Sequence, residues 1–187
     1  RWKSEAGTKK GIARWLRITQ KWVQRTEAEL EAGADPGALI SNTLREVPSG
    51  HFTKRLVTDS EWQDLEEEAA IVCSILAAHV GAMSTTQLAT AVDTLGVLAT
   101  HNTVFAIYLP SAAALLEAIN TYSLDPVTLR RFTGKQLSRF VWGLAKLGVC
   151  NERLIQLTGR RIIEHMAQFS TQDISMTLWG LAKIRTE

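Results

Sequence analysis

Cysteine is scarce: Cys73 and Cys150 are the two in the chain, and they stand too far apart in sequence for metal-ligand spacing. They read as reduced thiols of a reducing compartment. No apolar run reaches the roughly 18–20 residues of a membrane span, which excludes a spanning helix. There is no phosphate-cradling glycine loop, no nucleophile elbow and no metal-ligand cluster. His51, His79 and His101 have no acid, Cys or Ser around them in a recognisable pattern, and His165 beside Glu164 reads as a helix-surface pair. The expectation is a protein that is not an enzyme and takes no cofactor, metal or small-molecule substrate.

Acid is nearly missing from the first 26 residues. Arg1, Lys3, Lys9, Lys10, Arg14, Arg17, Lys21 and Arg25 face one acid, Glu5, although the whole chain carries only +2. That asymmetry points to a polyanionic partner for the start of the chain. From Lys10 to about Leu30, Ile12, Trp15, Leu16, Thr19, Trp22 and Val23 keep the 3,4 spacing of one helix face, with Lys10, Arg14, Arg17, Lys21 and Arg25 down another. Three readings stay open for this basic amphipathic helix: docking with a solvated basic side, contact with nucleic-acid phosphate, and a membrane-surface or targeting segment.

What the chain does have is repetition. Phe132–Gly148 returns from Phe169 to Ile184, with Trp142–Lys146 falling on Trp179–Lys183 at a step of 37 residues. A fixed period between about 20 and 50 residues marks a repeat array. A weaker copy opens at Ser84, at an offset of 49, where Leu88, Val92 and Leu95 fall on Leu137, Val141 and Leu144. The extra dozen residues are expected as a longer loop around Pro110, or around Leu124-Asp125-Pro126, with Thr103–Tyr108 and Ala112–Ile119 as second-helix material. Ser84…Gln87, Thr133…Gln136 and Ser170…Asp173 share one capping-box arrangement in register with the apolar residues. A helix A such as Gln136–Leu147, a turn at Gly148 and a helix B over Glu152–Gln168 capped by Asn151 make each unit. Gly159 within helix B costs about 1 kcal/mol against Ala, which a close helix crossing would explain.

Before the repeats, Ala32–Gly37 reads as a turn, Ala38–Val47 as a short helix, and Asp59 or Ser60 as the cap of a helix that runs to about His79 and stops at Gly81. The expected fold is all-α: an α-solenoid of stacked helical hairpins. An N-terminal helical extension covers 1–58, and a repeat domain covers 59–187 with units at about 84–131, 132–168 and an incomplete 169–187. The chain begins on Arg1 and stops at Glu187 inside a unit, so it is expected to be part of a longer polypeptide, with further chain or a partner covering Leu178 and Leu181.

The segments Gln-Leu-Ser-Arg-Phe-Val-Trp-Gly-Leu-Ala-Lys-Leu-Gly and Asp-Ile-Ser-Met-Thr-Leu-Trp-Gly-Leu-Ala-Lys-Ile resemble the signature of octotricopeptide and heptatricopeptide repeats. In their first helix these are similar to repeats of the Fas-activated-kinase-like and RAP-domain RNA proteins. The resemblance is carried by 132–184, faintly by 84–131 and not by earlier residues. The Pro-Pro-Pro-Glu-Trp element of many octotricopeptide repeats is missing, and no RAP domain is visible. The resemblance implies organellar RNA work in mitochondria, or alternatively plastids: mRNA maturation or stability, translation, or membership of a divergent mitochondrial ribosome.

On helix A, Lys135, Arg139, Trp142 and Lys146 form one stripe beside the Leu137/Phe140/Val141/Leu144 core stripe. A basic column holding an aromatic suits phosphate contact and base stacking. Trp179 and Lys183 repeat the last two positions, while the earliest copy has Thr86, Thr90, Asp93 and Val97 instead. The plain alternative is that the tryptophans pack between repeats and the lysines complement helix ends. Arg160 and Arg161 on helix B, with Arg153, add positive charge. The expectation is a non-catalytic RNA-binding protein of an organelle, most concretely a ribosomal component on rRNA beside neighbouring proteins. A protein–protein scaffold without RNA is the alternative. Convergence of Lys135, Arg139 and Lys146 with the basic stripe of residues 10–25 is the feature that would separate them.

Overall fold

In a computed structural model the described residues are 9–43, 58–101, 110–123, 125–149 and 151–185. Among them there are nine α-helices and no strand. These are α1 (Lys9–Glu31), α2 (Pro36–Thr43), α3 (Asp59–His79), α4 (Thr85–His101), α5 (Pro110–Ser123), α6 (Pro126–Arg131), α7 (Gly134–Lys146), α8 (Glu152–Glu164) and α9 (Thr171–Arg185).

The helix starts follow from the capping residues. At α7 the Thr133 hydroxyl accepts the Gln136 N–H while Gln136 Oε1 accepts the Thr133 N–H at 2.9 Å. Ser84 with Gln87 and Ser170 with Asp173 repeat this exchange at α4 and α9. The cap of α3 differs from expectation. It is Thr58, not Asp59 or Ser60, because Thr58 with Glu61 completes the same two-way box. Asn151 caps α8 through the Leu154 N–H. Gly33 (φ 84°) and Gly148 (φ 70°) turn the chain out of α1 and α7 in the left-handed region that glycine enters freely. At both ends two backbone bonds close a Schellman motif, for example Val149 N–H to the Leu144 carbonyl at 3.0 Å.

Three further expectations are corrected. Gly81 does not stop α3; the helix ends at His79 and continues as a 3₁₀ turn, Val80–Ala82. Of the two places expected for the longer loop, Pro110 and Pro126 each begin a helix, and the link around Asp125 between α5 and α6 is short. Asp125 caps the short helix α6, and proline is tolerated at that helix start, where its missing N–H has no partner to lose. Helix B is shorter than expected: α8 ends at Glu164, and a separate 3₁₀ turn covers Met166–Gln168. The expected helix at 38–47 is described only to Thr43, and 103–108 lies outside the described residues.

Packing runs in two series. In one, α2 lies against α4, α4 against α7 and α7 against α9; in the other, α1 lies against α3, α3 against α5, α5 against α6 and α6 against α8. One hydrophobic cluster joins them, from Trp22, Val23 and Ile40 through Leu65 and Leu76 to Leu137, Phe140, Val141 and Leu144. The described part of 1–58 therefore shares the core of the repeats. Cys73 lies in this core as a free thiol; burial pushes its pKa up to about 12, which makes it unreactive.

Glycine sets the helix spacing in the first series. A Cβ on Gly143 would stand 2.5 Å from the Val92 carbonyl oxygen, and one on Gly180 would meet Val141 at 2.9 Å. Val92 and Val141 are the aligned valines of successive copies, so α4/α7 and α7/α9 meet through the same contact. Gly159 is a different case. Nothing lies within 4 Å of its would-be Cβ, so no close crossing accounts for it.

Candidate functional site

The expected column occupies one face of α7 and runs between its two neighbours. Lys135 is exposed near its start. It borders a cavity of about 280 Å³ between α4 and α7, whose lining includes Thr86, Thr90, Gln136 and Arg139. Gln136 plays a second part here, since its Nε2 donates to Thr86 Oγ1 at 2.6 Å while its carbonyl oxygen serves the cap.

Arg139 turns to α4. Its Nε donates to Asp93 Oδ2 at 2.8 Å, and Nη2 bonds the same oxygen. Its charge is therefore matched within the protein, which reduces its value for an outside anion. The sequence reading missed Asp93 as this partner. The 49-residue offset puts Asp93 level with Trp142, one turn along from Arg139, and that register was the available signal.

Trp142 and Trp179 stand together, as the 37-residue register requires of equivalent positions on neighbouring helices. Their ring centroids lie 6.4 Å apart at an interplanar angle of 33°. The Lys146 ammonium lies over both, 5.3 Å from the Trp142 centroid and 5.0 Å from that of Trp179, in a double cation–π contact. Trp142 is half-buried while Trp179 is 44% exposed. Lys146 thus covers part of both rings, and Trp179 is the more exposed of the two. Lys183 is exposed on the same helix.

The other candidates lie elsewhere. Arg14, Arg17, Lys21 and Arg25 are exposed on α1, with Arg25 3.8 Å from Glu29; the side chain of Lys10 is outside the described residues. Thr19, Trp22 and Val23 on the opposite face are buried, as the helix periodicity demands. α1 packs on α2 and α3, whereas α7 packs between α4 and α9. The stripe on α1 and the column on α7 thus belong to helices with different packing partners. Arg160 and Arg161 belong to a third place, between α6 and α8.

Asp173, the reciprocal member of the α9 cap, is drawn into the same region. Burial pushes its carboxyl up, but bonds from the Ser170 hydroxyl and N–H and from the Ser138 hydroxyl, with the charge of Lys135 nearby, outweigh this and hold it below its ordinary value. Among the described residues no group of three or more His, Cys, Asp or Glu side chains could hold a metal ion. No helix among them is long and apolar enough to cross a membrane.

The fold and site define a class: a protein all-helical among the described residues, whose first packing series brings the repeated Trp142 and Trp179 together under Lys146. Comparison with protein-family profiles, with curated proteins and with solved structures finds no match.

Proposed function

We propose that the chain is an α-solenoid of the octotricopeptide/heptatricopeptide kind, with a basic amphipathic first helix, that contacts RNA without catalysis. On the resemblance stated above, its setting is a mitochondrion, and its most concrete role is a structural component of a divergent mitochondrial ribosome on rRNA. The observation that supports the RNA reading is the Trp142–Lys146–Trp179 cluster, a partly exposed aromatic pair with a cation held over it. Base stacking on such a ring is worth about 1–3 kcal/mol and tolerates any base. The solenoid reading is supported by the recurring glycine-on-valine contact.

The test is tryptophan fluorescence and anisotropy with a labelled single-stranded RNA. Trp179→Ala is expected to weaken binding about tenfold, equivalent to about 1.4 kcal/mol, and Lys135→Glu with Lys146→Glu to weaken it in a way that fades as salt rises. Arg139 is left in place because it pairs with Asp93. Binding that ignores all three changes would remove the RNA reading.

A second reading, a protein–protein scaffold, is favoured by two observations. α1 and α7 pack on different helices, and α9 presents Leu178 at 56% exposure.

A further inference from the structure

A groove between α6 and α8 collects four arginines with little to balance them. Arg130 comes from the last turn of α6, and Arg153, Arg160 and Arg161 come from one face of α8. Leu129, buried, and Leu157, half-buried, lie among them, and the cavity is about 260 Å³. Glu164 is the one acid on its lining. Among the described residues, the guanidinium groups of Arg130, Arg153 and Arg160 form no ion pair, and neither does Glu164.

Arg161 is the fixed member. Its Nη2 donates to the carbonyl oxygens of Arg130 and Phe132 and to Gln168 Oε1, at 3.3, 3.4 and 3.3 Å. All three acceptors are neutral, so the charge is held in position without being cancelled. Its Nε–H is buried and has no acceptor. A donor in that state is costly, and like charges gathered in a groove beside apolar side chains repel more strongly than they would in open water.

We infer that the groove between α6 and α8 is a phosphate-binding site that takes a backbone phosphate of an RNA strand. The source of the phosphate rests on the RNA reading above; the site itself lies in the other packing series from the tryptophan cluster. Guanidinium forks bind phosphate oxygens two donors at a time, and several forks suit a tetrahedral anion with many acceptor oxygens better than a carboxylate with two. Exposed Arg131 at the end of α6 extends the positive edge along which a backbone would lie.

The experiment compares the intact chain with the Arg153→Gln/Arg160→Gln double variant, using a labelled mixed-sequence single-stranded RNA over a salt series. Both substituted side chains are exposed, and matching thermal melts establish that the fold is kept. Loss of one phosphate contact is expected to make the log–log salt slope shallower by about 0.7. In the wild-type chain, added RNA should shift the NMR resonance of the buried Arg161 Nε–H. An unchanged slope with an unmoved resonance overturns the site, and the RNA reading survives if Trp179→Ala still weakens binding. No RNA binding by the wild-type chain overturns both. A resonance that moves with inorganic pyrophosphate but not with RNA overturns the RNA source and leaves a small-anion site.

Discussion

Asp173 performs three tasks with one carboxylate. It closes the cap of α9, it accepts the Ser138 hydroxyl at 3.2 Å from α7, and it lies close enough to Lys135 for that charge to favour its ionised form. Because its folded pKa is depressed, it contributes stability that is complete above the ordinary value of 3.8 and is lost as pH falls through the folded value. Asp173→Asn is therefore expected to lower stability near neutral pH and to flatten the acid limb of the stability profile below about pH 4. Urea unfolding across a pH series would measure this; an acid limb as steep as that of the wild type would count against it. At this scale the sequence disclosed the cap and not the bridge. A hydroxyl followed three residues later by a polar side chain is a local pattern, whereas the Ser138 contact depends on how α7 and α9 meet. The pairing of Arg139 with Asp93 was hidden for the same reason.

Helices α4, α7 and α9 were legible as elements because apolar spacing and capping boxes agreed in register. Their ends were less so. Pro126 stood in one of the two segments expected as a loop but starts a helix, since the first helical position has no backbone bond for proline to lose. Glycine was the least legible residue, for its meaning depends on the neighbour. Gly143 sits against the α4 backbone and Gly159 against nothing. Gly143→Ala is thus expected to cost about 2–3 kcal/mol as α4 and α7 are forced apart. Gly159→Ala is expected to gain up to about 1 kcal/mol by relieving glycine's poor helix propensity. Chemical unfolding of the two variants side by side checks the contrast, and equal responses would mean that the two glycines have equivalent surroundings.

Across the molecule, α9 stands to α7 as α7 stands to α4, but nothing described stands to α9 in turn. Ser138, Val141 and Ala145 are buried on α7, while their equivalents Ser175, Leu178 and Ala182 are exposed on α9. Aligned positions therefore respond differently to the same change. Val141→Asp is expected to cost 4 kcal/mol or more, about the level of an unpaired charge left in a core, and Leu178→Asp less than about 1 kcal/mol. Thermal and urea unfolding would tell them apart; comparable losses would mean that Leu178 is covered in the protein under test. The repeat predicted which residues are equivalent, since that is a matter of period. Which copies are covered depends on what lies beyond them, and periodicity carries no such information.

The polar bonds between successive helices of the first series lie at two heights, near the first turns and, through Arg139 and Asp93, midway along α4 and α7. Gln136 reaches Thr86, and Asp173 accepts from Ser138, all within the first turns or close to them. Helices tied at two heights resist both sliding along their axes and swinging apart about one end. Beyond those bonds the helices are held apolarly, by the close approach of Gly143 to Val92 and of Gly180 to Val141 and by the paired rings of Trp142 and Trp179.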